Sequence, residues 1–361
     1  MSKIKLIENK VICENPHSPF NYFAWPTVGR LPGGELAMVC SGFRTAHVDP
    51  FGKLIICYSK NEGKTWTRPA VLIDTPLDDR DGGICTFADG RVMVTTFNNT
   101  IAFQQMVIEE YAIPQGRKEV AMRQGYLDMI KTESGLEEKY MGSLYAISED
   151  GGYTFGEFKK SPITNPHGPC PLPSGGLIYV GNPLSMEECE EKGIYCYKLN
   201  DKDEFEKISY LENNTSASWH EPYAFAVTDE HIIVHIRAHN EEEGWAAILQ
   251  TESFDGGKTF SEPVRINEHG VPSHIMRHSS GILVCVYSYR QDAMGERVIF
   301  SRDDGKTWSE EYVLVDDSKN WDLGYPSSVE LSDGKLLTTY YQHEEEVGTC
   351  RIKQCIWEIP E

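Results

Sequence analysis

A phrase of eight residues recurs four times along the chain and leaves few folds open to it. It reads SKNEGKTW at Ser59–Trp66, SEDGGYTF at Ser148–Phe155, SFDGGKTF at Ser253–Phe260 and SRDDGKTW at Ser301–Trp308. Every copy has Ser first, Asp or Asn third, Gly fifth and Trp or Phe eighth, and each follows a short apolar run such as Leu54–Tyr58. The pattern asks for a tight turn. The acid or amide caps backbone N–H groups, Gly accepts positive φ, and the hydroxyls tie the loop together. The aromatic residue is expected to tuck beneath the turn as a plug.

The spacing of the copies predicts blades of a β-propeller. Ser253 to Ser301 spans 48 residues, the length of one four-stranded blade. Ser148 to Ser253 spans 105, about two blades, and Ser59 to Ser148 spans 89, one blade plus an insertion. A second repeat, strand–tight turn–strand, sets the count. Its first strands contain Trp25–Val28, Asp81–Ile84, Pro166–Pro169, Glu221–Ala224, Pro272–Ile275 and Tyr325–Ser328. The expected fold is therefore all-β: one six-bladed propeller spanning residues 1–361. The last blade runs out of chain after Cys350–Ile356, so Ile4–Cys13 is expected to supply its fourth strand and close the ring.

Composition narrows the function. A net charge of −21 excludes a nucleic-acid or anionic-membrane surface and makes any cluster of arginines conspicuous. The opening MSKIKLIENK lacks the apolar stretch of a signal peptide, and the ten cysteines are scattered without a C-x-x-C. A reduced, cytoplasmic protein is expected, with neither metal nor cofactor.

The hairpins also assign faces. Each first strand starts at the top, each second strand returns there, and the four turns of the repeated phrase lie at the bottom. Those turns serve the repeat. Function is expected from the top, at Trp25, Arg80–Asp81, His167, Glu221 and Tyr325 on first strands. Second strands and the loops after them bring Arg44, His47, Asp49, Arg237, His239 and Arg290. Arginines, carboxylates and a tyrosine round one mouth suit an anionic sugar. Residues 99–140 break the blade rhythm, with helical apolar spacing at Val120, Leu127 and Ile130. This insertion in blade two is expected to be partly helical and to pack on the rim, to mediate contact with a second copy, or to form a lid.

The repeated phrases are Asp-boxes, and with them the chain resembles the sialidase-like Asp-box propellers, also called BNR-repeat proteins. Sialidases of this kind place a Tyr nucleophile at the start of the last blade's first strand. Tyr325 in YPSSVELSDGKLL holds that place. Their assisting Glu precedes an arginine at the end of the next strand, matched here by Glu221 (HEPYAFAV) and Arg237 (HIRAHN). Arg290 (YSYRQD) matches a further clamp arginine, and Arg44 with Asp49 in FRTAHVDPFGK matches the loop that carries the acid/base Asp. One element is missing. The family opens its first blade with R-I-P, whereas this chain has Ala24-Trp25-Pro26, which leaves Arg80 beside Asp81 as the substitute arginine.

The resemblance implies a retaining exo-glycosidase acting on a terminal acidic sugar, with Tyr325 as nucleophile, Glu221 assisting and Asp49 as acid/base. Arg237, Arg290, Arg44, Arg80, Asp81, His167 and Trp25 would bind substrate. A neutral phenol suits an anomeric carbon that bears a carboxylate, because a carboxylate nucleophile would be repelled. Two alternatives stand beside it: a uronate lyase using Tyr325, His167 or His239, and a glycan-binding propeller without catalysis.

Overall fold

The computed structural model describes residues 2–183 and 192–360 and shows six sheets in a closed ring, each with four antiparallel strands and one, blade five, with a short fifth strand added at its edge. Blade one begins with Tyr22–Arg30, blade two with Asp78–Thr86 and blade three with Cys170–Pro171. Blades four, five and six begin with Ser218–Ala226, Ser273–Arg277 and Leu323–Glu330. The second strands are deeply buried: in Leu36–Arg44 and Leu336–Glu344 the first seven residues are all buried. A strand covered on both faces carries such continuous buried runs, and here neighbouring blades supply the cover.

The ring closes at its ends. Leu6–Cys13 pairs antiparallel with Thr349–Trp357, from Leu6 opposite Trp357 to Cys13 opposite Ile352. Cys13 and Ile352 then join Trp25, Tyr325 and Tyr341 in the core between blades six and one. Ser2–Lys3 adds a feature too short to read from sequence, pairing in parallel with Tyr312–Val315 of blade five. The N-terminal segment thus laces two blades.

The four Asp-boxes share one geometry. In the last, Ser301 Oγ donates to Asp303 Oδ1 and accepts from Gly305 N, both at 2.8 Å, while Asp303 Oδ1 accepts from Thr307 N at 2.9 Å. Their aromatic residues are only half-buried. Trp308 and Trp66 do more than plug their own turns. Trp308 Nε1 donates to Gln250 Oε1 of blade four at 2.7 Å, and Trp66 Nε1 to Gln354 Oε1 of blade six at 2.8 Å. Both glutamines donate back to the box, to Gly305 O and Gly63 O, each at 2.9 Å. These two boxes are clasps between blades.

The insertion folds as α1 (Ile101–Val107), which runs on into a wider helical turn at Ile108–Ala112, then α2 (Val120–Ile130) and α3 (Leu136–Tyr140). Thr100 caps α1 by accepting from Phe103 N. Ile108, Leu127, Ile130 and Leu136 bury against Leu77. Arg123 donates to Val48 O at 2.5 Å, and Tyr126 packs on Phe51 with ring centroids 4.9 Å apart. The insertion therefore buttresses the loop that leaves blade one. No helix among the described residues is long and apolar enough to cross a membrane.

Candidate active site

Four first strands open with the same backbone irregularity. Trp25, Asp81, Glu221 and Tyr325 have φ of 57°, 30°, 42° and 52°, a left-handed region that costs a bulky residue about 1–3 kcal/mol. Each lies in a bulge, where the register with the second strand slips. All four are also equivalent by register, three residues before Val28, Ile84, Ala224 and Ser328, which pair with Met38, Val94, Val234 and Thr338. Strain repeated at one position of four blades brings these side chains together round the axis.

Tyr325 and Glu221 meet there. Tyr325 Oη donates to Glu221 Oε1 at 2.6 Å, and Arg237 Nη1 reaches both Glu221 Oε2 at 2.7 Å and Tyr325 Oη at 3.0 Å. Burial and the charge of Glu221 raise the Tyr325 phenol well above its ordinary value, so it rests neutral. Burial works against ionisation of Glu221 as well, but Arg237 and the Tyr325 hydroxyl outweigh it and its pKa falls. His239 Nε2 accepts from Arg237 Nε at 2.8 Å, and burial with that cation pushes the imidazole down to about 4.

This cluster divides a two-lobed cleft. One lobe, about 390 Å³, is lined by Asp81, Phe97, Asn165, Asn182, His220 and Glu221. The other, about 310 Å³, is lined by His47, Ser288, Arg290, Trp321, Tyr325 and Tyr341. Both lobes share Arg237 and His239. The insertion contributes no residue to the lining of either lobe.

Other expected residues lie elsewhere. Asp49 is fully buried in its own turn: Oδ2 accepts from Thr45 N and Oγ1 and from Ala46 N, and Oδ1 from Phe51 N. Asp49 lines neither lobe, so the structure does not bring it to the cleft. Arg44 is equally buried, bridging Asp78 Oδ1 at 2.5 Å and the carbonyls of Ala46, His47 and Asp79. Its donors hold the loop, and it lines neither lobe. His167 sits in the axial core, with Nδ1 3.0 Å from Thr27 Oγ1 and its ring against Tyr223 and His274. Burial pushes it down to about 3, and it lines neither lobe.

The arginines differ in availability. Arg290 lines the second lobe, yet its Nε, Nη1 and Nη2 donate to the carbonyls of Trp321, Val271 and Leu323. Arg80 stacks on Trp25, its guanidinium carbon 4.0 Å from the ring centroid, and donates to His47 O at 2.7 Å. Trp25 itself is 1% exposed and backs the site from within the core.

One cluster escaped sequence reasoning. Asp322 accepts from Tyr22 Oη at 2.9 Å and Tyr341 Oη at 3.0 Å, and lies 3.0 Å from His47 Nδ1. Burial opposes its charge, but His47 and Tyr22 hold its carboxyl far below the usual range. The signal was positional. Asp322 stands three residues before Tyr325, as Asp78 stands three before Asp81.

Comparison with known proteins bears on the fold. No curated protein matches the sequence. Among solved structures, a protein of unknown function from Dyadobacter fermentans is similar over 100% of both chains, at 20% identity and a TM-score of 0.78. A NanB sialidase from Streptococcus pneumoniae is similar over 97% of this chain and 70% of its own, at 13% identity and a TM-score of 0.67. An α-L-arabinanase from Penicillium chrysogenum, complexed with arabinobiose, is similar over 98% of both chains, at 12% identity and a TM-score of 0.64. At these identities the likeness is one of fold. The BNR repeat-like domain matches residues 137–337, more than half of the sequence, and the chain belongs to that family.

Proposed function

We propose that the protein is a retaining, exo-acting glycoside hydrolase of the sialidase-like kind, cleaving a terminal acidic sugar with Tyr325 as nucleophile and Glu221 as its base. The observation that carries this is the contact of Tyr325, Glu221 and Arg237 on the cleft floor. As the phenol proton passes to Glu221 Oε1, negative charge moves from the carboxylate to Tyr325 Oη. Arg237 Nη1 touches both ends, at 2.7 and 3.0 Å, so the charge never leaves its cation. A structural ion pair explains the triangle less well. Glu221 and Arg237 keep 25% and 22% of their side chains open to solvent, and Glu221 and Tyr325 both hold left-handed backbone. The sialidase and arabinanase with this fold support glycoside hydrolysis as the kind of chemistry.

A second reading keeps the hydrolase and changes the sugar. Arg290 is tied to three carbonyls and Trp25 replaces an arginine of the clamp, leaving Arg237 as the main contact for a carboxylate. A neutral glycoside fits that arrangement. The test is turnover of a panel of aryl glycosides of uronic acids, keto-sugar acids and neutral sugars. Tyr325→Phe keeps the packing of the ring and should lower kcat by several orders of magnitude. Wild-type turnover by Tyr325→Phe overturns the nucleophile, and an unsaturated, ultraviolet-absorbing product assigns lyase chemistry instead.

A further inference from the structure

With Asp49 spent in its own turn, the hydrolase reading lacks a proton donor. Two neighbouring buried carboxylates are fully engaged as well. Asp78 is held by Arg44, Arg80 and Asn99, and Asp79 by Thr75 N, Thr75 Oγ1 and Asn98. Asp322 is held by two tyrosines and His47. Asp81 differs. It is 3% exposed, its Oδ1 is buried with no hydrogen-bond partner among the described residues, and it lines the same lobe as Glu221. A buried carboxyl oxygen that meets no N–H or O–H donor favours the protonated acid, or a donor that arrives with the substrate. Its left-handed backbone, in the bulge between Arg80 and Gly83, aligns it in register with Glu221 and Tyr325.

We infer that Asp81 is the general acid/base of the cleft, protonating the glycosidic oxygen that Asp49 cannot reach. The inference rests on the hydrolase reading. In the first step the bond from Tyr325 Oη to the anomeric carbon forms, with the phenol proton passing to Glu221. The bond to the leaving oxygen breaks as Asp81 gives that oxygen its proton. In the second step Asp81, now a carboxylate, takes a proton from water. The water oxygen bonds to the anomeric carbon, and Tyr325 leaves and recovers its proton from Glu221. Atoms and protons balance, and both carboxyls end as they began.

The surroundings suit a donor working near neutrality. Arg80 and Asp78 face Asp81 from its own strand, Arg44 from blade one, Glu221, Arg237 and His220 from blade four, and Tyr325 from blade six. Burial pushes its carboxyl up to about 7; Arg80 opposes the rise and the charge of Glu221 adds to it. Glu221, held by Arg237, moves the other way. Two carboxyls pushed apart in one cleft is the arrangement that separates an acid from a base.

The experiment compares Asp81→Asn with wild type on the 4-methylumbelliferyl and methyl glycosides of one sugar, the panel member that wild type cleaves best, from pH 4 to 9. The activated aryl leaving group needs little protonation, whereas the alkoxide needs it fully. Asp81→Asn should stay within about tenfold on the aryl glycoside, fall roughly 10³-fold on the methyl glycoside, and lose the decline in kcat/KM above pH 7. Equal losses on both glycosides, with that decline intact, overturn the role of Asp81 alone. Absence of wild-type turnover across the panel, or a fully active Tyr325→Phe, overturns the hydrolase reading and the donor with it.

Discussion

Arg80 lies over the Trp25 ring, its guanidinium carbon 4.0 Å from the centroid, and Trp25 stands at the position that holds an arginine in the sialidase pattern. Trp25 stands on the first strand of blade one, and Arg80 reaches it from the first strand of blade two. Arg80 lines neither lobe and its Nη1 is occupied by His47 O and Asp78, so standing in for a clamp arginine would require Nε or Nη2 to reach the substrate. Replacing Arg80 with Met keeps apolar packing on Trp25 but removes the charge. If the sugar is acidic, KM for it should rise about tenfold or more while a neutral analogue is little affected. An equal effect on acidic and neutral glycosides would favour the neutral-sugar reading.

The interblade clasp makes a separate prediction. Gln250 is 3% exposed and ties Trp308 Nε1, Gly305 O and His235 Nε2 together across blades four and five. Gln250→Ala leaves these groups without partners and should cost about 2–4 kcal/mol in urea unfolding. Trp308→Ala removes a half-buried ring and should cost about 2–3 kcal/mol. Neither change should alter KM, because the clasps lie on the face opposite the cleft. A large KM effect without loss of stability would reverse the assignment of faces.

Much of this was legible because it is local. An Asp or Asn, a Gly and a hydroxyl within eight residues make the same turn wherever they stand, so the Asp-boxes and the blade count followed from spacing. Tyr325, Glu221 and Arg237 were legible because each holds a defined place within its blade. The partners of Arg44 and Asp49 were not. Asp49 turns back on Thr45 four residues earlier, and Arg44 finds Asp78 only once blade two lies beside blade one. Sequence shows that a charge is near a mouth, but not what has already neutralised it. The same limit hid Asp322, whose partners Tyr22 and His47 come from the far end of the chain.

Glu296 offers a prediction in pH. It is fully buried on the third strand of blade five, and neither carboxyl oxygen has a hydrogen-bond partner among the described residues. Burial raises it to about 8, against the pull of Arg290 and Arg297. An unfolded Glu titrates near ~4.3, so between that pH and about 8 the folded chain holds a proton that the unfolded chain has released. Stability from this group is therefore lost as pH rises through that window. Glu296→Gln, which cannot ionise, should be more stable than wild type by on the order of 2–4 kcal/mol at pH 8.5, with the advantage gone near pH 4. A difference that does not change with pH would contradict the burial argument.

The central claim is that Tyr325 attacks the anomeric carbon, and the most direct measurement is the mass of the trapped protein. A glycosyl fluoride carrying a second fluorine beside the anomeric centre forms the glycosyl-enzyme and releases it slowly. Wild type should gain the mass of one sugar, and peptide sequencing should locate it on Tyr325. Tyr325→Phe should gain none. An adduct on Glu221, or turnover of the substrate with inversion at the anomeric carbon, would contradict the account.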